Sequence, residues 1–124
     1  MPEKIRLMIV DDSLLMRQAI ELYLQEYDIE IVATAEDGEA AMKAFNQTKP
    51  EYVTLDIIMP KMDGLTVLQK MLKKRPATKI MIVTALADKD TALQAVEFGA
   101  RSVLMKPFTP ASLKKAFSKF IAEE

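Results

Sequence analysis

The chain has no cysteine and no histidine. Without cysteine, disulfides and thiolate metal sites are excluded. Without histidine there is no imidazole ligand, no histidine general base and no Ser-His-Asp arrangement. Any chemistry must run on carboxylates, hydroxyls and amines. A dominant charge is also lacking: 17 basic residues face 18 acidic ones, for a formal net charge of −1. That balance gives no global pull toward nucleic acid or an anionic membrane, and neither is expected as a partner. No apolar run approaches the length of a membrane span, and the stretch from Met1 to Asp12 is too short and too quickly charged for a signal peptide. The expectation is a soluble, cytoplasmic protein.

What is present fits one core. The 124 residues suit a single domain spanning 1–124, and half of them are hydrophobic, enough to bury without staples. Five short apolar runs recur: Ile5 to Val10, Ile29 to Ala33, Tyr52 to Leu55, Ile80 to Val83 and Val103 to Met105. They hardly alternate with polar residues and are rich in Ile, Val, Leu and Met, which suits strands covered on both faces. Helical patterns lie between and after them. Leu113, Ala116, Phe117, Phe120 and Ile121 follow an i, i+3, i+4, i+7, i+8 spacing, with Thr109 as N-cap and Pro110 at the first helical position. Asp37 caps a helix carrying Ala41, Ala44 and Phe45, and Gly99 ends the helix containing Leu93 and Val96. Gly64 stands just before a helix carrying Leu65, Leu68 and Leu72. Five β-α units in succession make an α/β fold, an open, doubly wound five-stranded parallel sheet in a three-layer architecture.

The polar residues fall where the apolar runs stop. The first run stops at Asp11 and Asp12, the third at Asp56, the fourth at Thr84 and the fifth at Lys106. Open α/β sheets bind ligands beyond the carboxyl ends of their strands, where the strand order reverses. In the flavodoxin-like order 2-1-3-4-5, strands one and three are neighbours at that reversal, so Asp11, Asp12 and Asp56 share one crevice with Thr84 and Lys106 beside it. Three carboxylates repel one another. A hard divalent cation with oxygen ligands, Mg²⁺, relieves the repulsion. Asp56 is then placed to attack phosphorus, Lys106 to bring positive charge, and Thr84 to donate to a phosphoryl oxygen. Each residue also has a bland explanation. Asp11 or Asp12 could cap the next helix, Asp56 could be a turn residue, Thr84 a turn hydroxyl and Lys106 a solvated lysine. The nine methionines suit core filling. The argument for a site is that five such residues land at one end of one sheet.

In order and spacing, several stretches match a known family: Asp11-Asp12, Asp56-Ile57-Ile58-Met59-Pro60-Lys61-Met62-Asp63-Gly64, Thr84-Ala85, Gly99-Ala100 and Lys106-Pro107-Phe108. Over nearly its whole length the chain resembles the receiver domains of two-component response regulators. The resemblance implies that Asp56 accepts a phosphoryl group from the phosphohistidine of a histidine kinase. It implies that Asp12 binds Mg²⁺ directly, that Asp11 acts mainly through a water, and that the backbone carbonyl of Ile58 is a further ligand beside Asp56. Thr84 and Lys106 bind the phosphoryl group, and the Lys106-Pro107 bond is cis. The implied protein is a signalling switch and not an enzyme, although it catalyses its own phosphorylation and dephosphorylation. Three positions depart from the family pattern. Val103 stands where an aromatic residue is usual, and Ile58 and Leu86 stand where polar residues are frequent.

Among other classes, an aspartyl-phosphate hydrolase of the haloacid dehalogenase type would need an acid where Ile58 stands. A flavodoxin-like electron carrier would need a Ser/Thr/Gly-rich phosphate loop where Asp12-Ser13-Leu14-Leu15 stands. An interaction module with an inactive receiver fold would not need all five site residues. Within the switch reading, the resemblance is greatest to the stand-alone chemotaxis type. That implies a monomer whose partners include a flagellar motor switch protein or a phosphatase. A phosphorelay intermediate and a fragment of a longer regulator are the alternatives. Lys114, Lys115 and Lys119, with Lys89 and Arg101, mark a candidate partner surface.

Overall fold

A computed structural model describes residues 4–61 and 63–122. The elements follow in the order β1 Ile5–Val10, α1 Leu14–Tyr23, β2 Ile29–Ala35, α2 Gly38–Thr48, β3 Tyr52–Leu55, α3 Gly64–Lys74, β4 Lys79–Ala85, a 3-10 turn Leu86–Asp88, α4 Lys89–Glu97, β5 Ser102–Lys106 and α5 Pro110–Ala122. The strands form one parallel sheet in the order β2-β1-β3-β4-β5. This is the expected doubly wound architecture.

The unalternated apolar runs arise because the sheet has two dry faces. Met8, Val10, Val53, Leu55, Ile80 and Ile82 point toward α2, α3 and α4, where they meet Phe45, Leu68, Met71 and Ala95. Leu7, Ile9, Met81, Val83 and Leu104 point the other way and meet Ile20 and Leu24 of α1 and Leu113, Phe117 and Phe120 of α5. Successive residues along each strand thus enter different cores.

Three strands run further than their apolar runs. β2 continues through Thr34 and Ala35, β4 through Thr84 and Ala85, and β5 through Lys106. Ladder pairing carries these small or polar residues: Val10 with Ala35, and Ala85 with Lys106. The β1–β2 register also steps. Leu7 pairs with Ile31 and Met8 with Ala33, so Val32 is an extra residue on the outer strand, a bulge.

Helix starts follow cap chemistry. Ser13 caps α1, its hydroxyl accepting from Met16 N, and Asp37 caps α2 by accepting from Ala40 N at 2.8 Å. Neither Asp11 nor Asp12 is the cap of α1. Asp63, not Gly64, is the residue just before α3. Its carboxylate accepts from Thr66 N and from Thr66 Oγ1, each at 3.0 Å, and the amide bond in particular holds its pKa below the usual range. Gly64 is the first helical residue. A side chain there would overlap the backbone of Ile57, coming within 2.6 Å of its carbonyl oxygen.

Thr54 is a local conflict. It lies on β3 between Ile9 and Met81, is 1% exposed, and its hydroxyl has no hydrogen-bond partner among the described residues. A buried unpaired hydroxyl carries its desolvation penalty uncompensated. Thr54→Val, which keeps the shape, is expected to raise unfolding stability by about 1 kcal/mol. A urea titration checks this; a lower midpoint would show that the hydroxyl is satisfied by a buried water.

Candidate functional site

The site grows from the ends of the central strands. β1 and β3 run side by side, with Val10 paired to Leu55, so the chain leaves both strands at adjacent points. Asp56 N donates to Val10 O at 3.0 Å, and Asp11 N donates to Ala35 O at 3.0 Å. Asp11 and Asp56 are therefore fixed by backbone pairing before their side chains make any contact. Asp12 follows on the exposed side of the turn. One carboxylate oxygen from each of Asp11, Asp12 and Asp56 lies within 4.8 Å of the other two.

Lys106, the last residue of β5, reaches into this cluster. Its Nζ donates to Asp11 Oδ2 at 2.8 Å and to Asp56 Oδ2 at 3.3 Å. The other oxygens of these two carboxylates are also engaged: Asp11 Oδ1 accepts from Ser13 N at 3.0 Å, and Asp56 Oδ1 accepts from Ile58 N at 3.2 Å. The Asp12 carboxylate accepts no hydrogen bond among the described residues and is exposed. Arg17 Nη1, from the first turns of α1, donates to the backbone carbonyl of Asp11 at 2.6 Å. Thr84 is fully buried, and its Oγ1 has no partner among the described residues. The Lys106-Pro107 bond is cis.

Burial pushes the Asp56 carboxyl above its ordinary pKa, and the neighbouring charge of Asp11 adds to this. The Lys106 charge and the Ile58 amide pull the other way and do not overcome it. For Lys106, burial disfavours the ammonium, but the bond to Asp11 and the charges of Asp56 and Asp11 outweigh burial and hold the pKa above its usual value. The ammonium therefore persists at neutral pH. Three carboxylates against one ammonium leave a local excess of negative charge on oxygen donors alone. With no thiolate or imidazole in the chain, that donor set fits a hard divalent cation such as Mg²⁺.

The structure thus brings Asp11, Asp12, Asp56 and Lys106 into one crevice. Ile58 contributes its amide to Asp56 and is 55% exposed; Leu14 and Leu15, at the start of α1, are 60% and 76% exposed. Met62 and the side chain of Leu86 lie outside the described residues. The expected basic surface is smaller than the sequence implies, because Lys114 pairs with Glu26 at 2.7 Å. Arg17 and Ser13 are site residues that the motifs did not single out. The available signal was a cation in the opening turns of a helix with no acidic residue in its first turn.

The family model described as "Response regulator receiver domain" matches residues 7–118. The chemotaxis protein CheY of Listeria monocytogenes is 37% identical over 115 residues, covering 93% of this chain and 97% of that protein. A protein-glutamate methylesterase/protein-glutamine glutaminase of Carboxydothermus hydrogenoformans is 41% identical over 98% of this chain, which spans only 34% of that protein. Among solved structures, the CheX–CheY–BeF3–Mg complex from Borrelia burgdorferi contains a chain that superposes with a TM-score of 0.88 at 27% identity, covering 95% of this chain and 90% of that one.

Proposed function

Because the chain belongs to the response regulator receiver domain family, we propose that it is a phosphorylation switch that carries a phosphoryl group on Asp56, with Mg²⁺ held by Asp11, Asp12, Asp56 and the Ile58 carbonyl. The observation that carries this reading is Lys106 Nζ set between Asp11 and Asp56 within a three-carboxylate crevice. A carboxylate oxygen of Asp56 attacks phosphorus. The bond from phosphorus to the donor's histidine nitrogen breaks as the bond to Asp56 forms. Lys106, already charged and within reach, supplies positive charge to the incoming phosphoryl oxygens. Thr84, whose buried hydroxyl has no partner among the described residues, offers a donor that a phosphoryl oxygen satisfies. Bound Mg²⁺ supplies the charge that lets an anionic phosphoryl group approach three carboxylates.

The output follows from what Thr84 moves. It is the penultimate residue of β4, followed directly by the Leu86–Asp88 turn and α4. Val103 on β5 is half-buried and has no ring to turn inward. Activation therefore rests on Thr84 and the turn after it. The phosphodonor is a histidine kinase, for which Leu14, Leu15 and Ile58, exposed and two or three residues beyond Asp12 and Asp56 in the chain, are candidate contacts. A chemotaxis role, with a flagellar motor switch protein or a phosphatase as output partner in the cytoplasm, is supported by the near full-length similarity to CheY proteins.

The metal roles are separable. The Asp11 carboxylate is committed to Ser13 N and Lys106, whereas that of Asp12 is free to take a cation. Asp12→Ala is expected to weaken Mg²⁺ binding by roughly tenfold or more and Asp11→Ala by less. Calorimetric titration compares them, and equal affinities would remove the distinction. The reading as a whole is tested by incubating the protein with acetyl phosphate, with and without Mg²⁺. Intact mass should rise by one phosphoryl group only with the metal, and labelling that ignores chelation overturns the proposal.

A further inference from the structure

We infer that Arg17 is a positioning residue for the acidic turn: its guanidinium fixes the Asp11–Asp12 peptide and thereby aims the Asp12 carboxylate at the cluster. This rests on the metal-site reading above and extends it to a residue outside the motif.

Three observations carry it. The first is the end of the ladder. β1 pairs with both neighbours as far as Val10, and the Asp11 amide still reaches Ala35 O. The Asp11 carbonyl lies past the last strand partner, and Arg17 Nη1 takes it at 2.6 Å. The second is the freedom of Asp12. Its side chain is exposed and accepts no hydrogen bond among the described residues, so only the backbone beneath it sets its direction. Holding the peptide that joins Asp11 to Asp12 is therefore the available means of holding that carboxylate near Asp11 and Asp56. The third is the placement of the cation. Arg17 is the fourth residue of α1, whose first turn has no acidic residue. A positive charge near a helix N-terminus works against the helix field, which favours anions there. The residue is thus set against its own helix, and what it gains in return is the contact with Asp11.

Charge and geometry make opposite predictions for the metal. A guanidinium near a cation site repels Mg²⁺, so removing it should tighten binding if charge were its whole effect. If Arg17 aims Asp12, removing it should loosen binding. Partners that orient a metal ligand are worth tenfold or more in affinity when lost. The experiment is an amide NMR titration of the full chain with MgCl₂, following Asp12, Ser13 and Ile58 in wild type, Arg17→Met and Arg17→Lys. Arg17→Met should bind Mg²⁺ roughly tenfold more weakly. Arg17→Lys keeps an N–H donor of nearly the same reach and should recover most of that loss. Charge alone predicts tighter binding in Arg17→Met than in Arg17→Lys, so weaker binding in Arg17→Met reports the hydrogen bond. In the metal-free protein, hydrogen exchange at Asp12 and Ser13 should be faster in Arg17→Met than in Arg17→Lys. Affinity in Arg17→Met equal to or tighter than in wild type or Arg17→Lys overturns the inference. If wild type itself shows no saturable shift at these amides, the metal-site reading fails, and the inference falls with it. The two failures are distinguished because only that of the metal-site reading appears without any mutation.

Discussion

With Asp56→Asn, acetyl phosphate and Mg²⁺ are expected to add no phosphoryl group to the chain, where wild type gains one. The other nucleophiles nearby are poorer candidates. Asp11 is tied by Ser13 N and Lys106, Asp12 has no cation in contact among the described residues, and the Thr84 hydroxyl has no base beside it. In the metal-free protein, burial keeps the Asp56 carboxylate more basic than a free one. The same burial has a thermodynamic side. A folded-state pKa above the unfolded one means that the folded protein holds this proton more tightly. Stability contributed by the group thus declines as pH rises from 3.8 through the raised value. At pH 7 the ionised carboxylate costs stability, and Lys106 keeps Asp11 as its partner if Asp56 is neutralised. Asp56→Asn should accordingly melt higher than wild type at pH 7 while losing all labelling. A variant that still takes one phosphoryl group refutes the acceptor. One that melts lower shows that the Lys106–Asp56 contact outweighs burial.

Gly64→Ala is expected to destabilise the fold by more than about 3 kcal/mol and to lower labelling with it. The obstacle is backbone, not a side chain that could swing away. A Cβ at this position meets the Cα and carbonyl oxygen of Ile57 and comes within 2.8 Å of Asp56 O. The Gly64 amide also donates to Ile57 O at 2.6 Å, so the start of α3 is drawn tightly onto the segment that follows Asp56. Separating the two chains far enough for a methyl group breaks that bond and displaces Asp56. Asp63→Ala is the control. It removes the cap of the same helix without adding bulk and should cost about 1 kcal/mol. Urea unfolding of both variants decides, and equal midpoints would mean that cap loss alone explains the effect.

Much of this was legible in the residues themselves, and the exceptions have physical reasons. Ile5–Val10 and Tyr52–Leu55 stand as read, because polar residues or proline bound both runs. The ends of β2, β4 and β5 were under-read because ladder hydrogen bonds belong to the backbone and do not require an apolar side chain. Convergence of Asp11, Asp12, Asp56 and Lys106 followed from topology, which sets where strands end. The pairing of Lys106 with both Asp11 and Asp56 did not, because it depends on side-chain reach across three strands. Arg17 escaped notice because spacing alone does not say which carbonyl a long side chain will find. The orphaned hydroxyl of Thr54 was hidden for the opposite reason: threonine is at home in strands, and nothing in the sequence marks one without a partner.

The extra residue at Val32 bears on how separate copies of the molecule stay. β2 is an open border of the sheet, rich in Ile and Val, and an unbroken border of that kind would offer passing chains a template. The bulge shifts the pairing with β1 between Ile31 and Ala33, so the lengths on either side of Val32 differ in phase. A second strand that docks on one length is out of step with the other. A strand docking on this border is therefore expected to meet a mismatch of phase, which disfavours growth there even where the side chains are apolar.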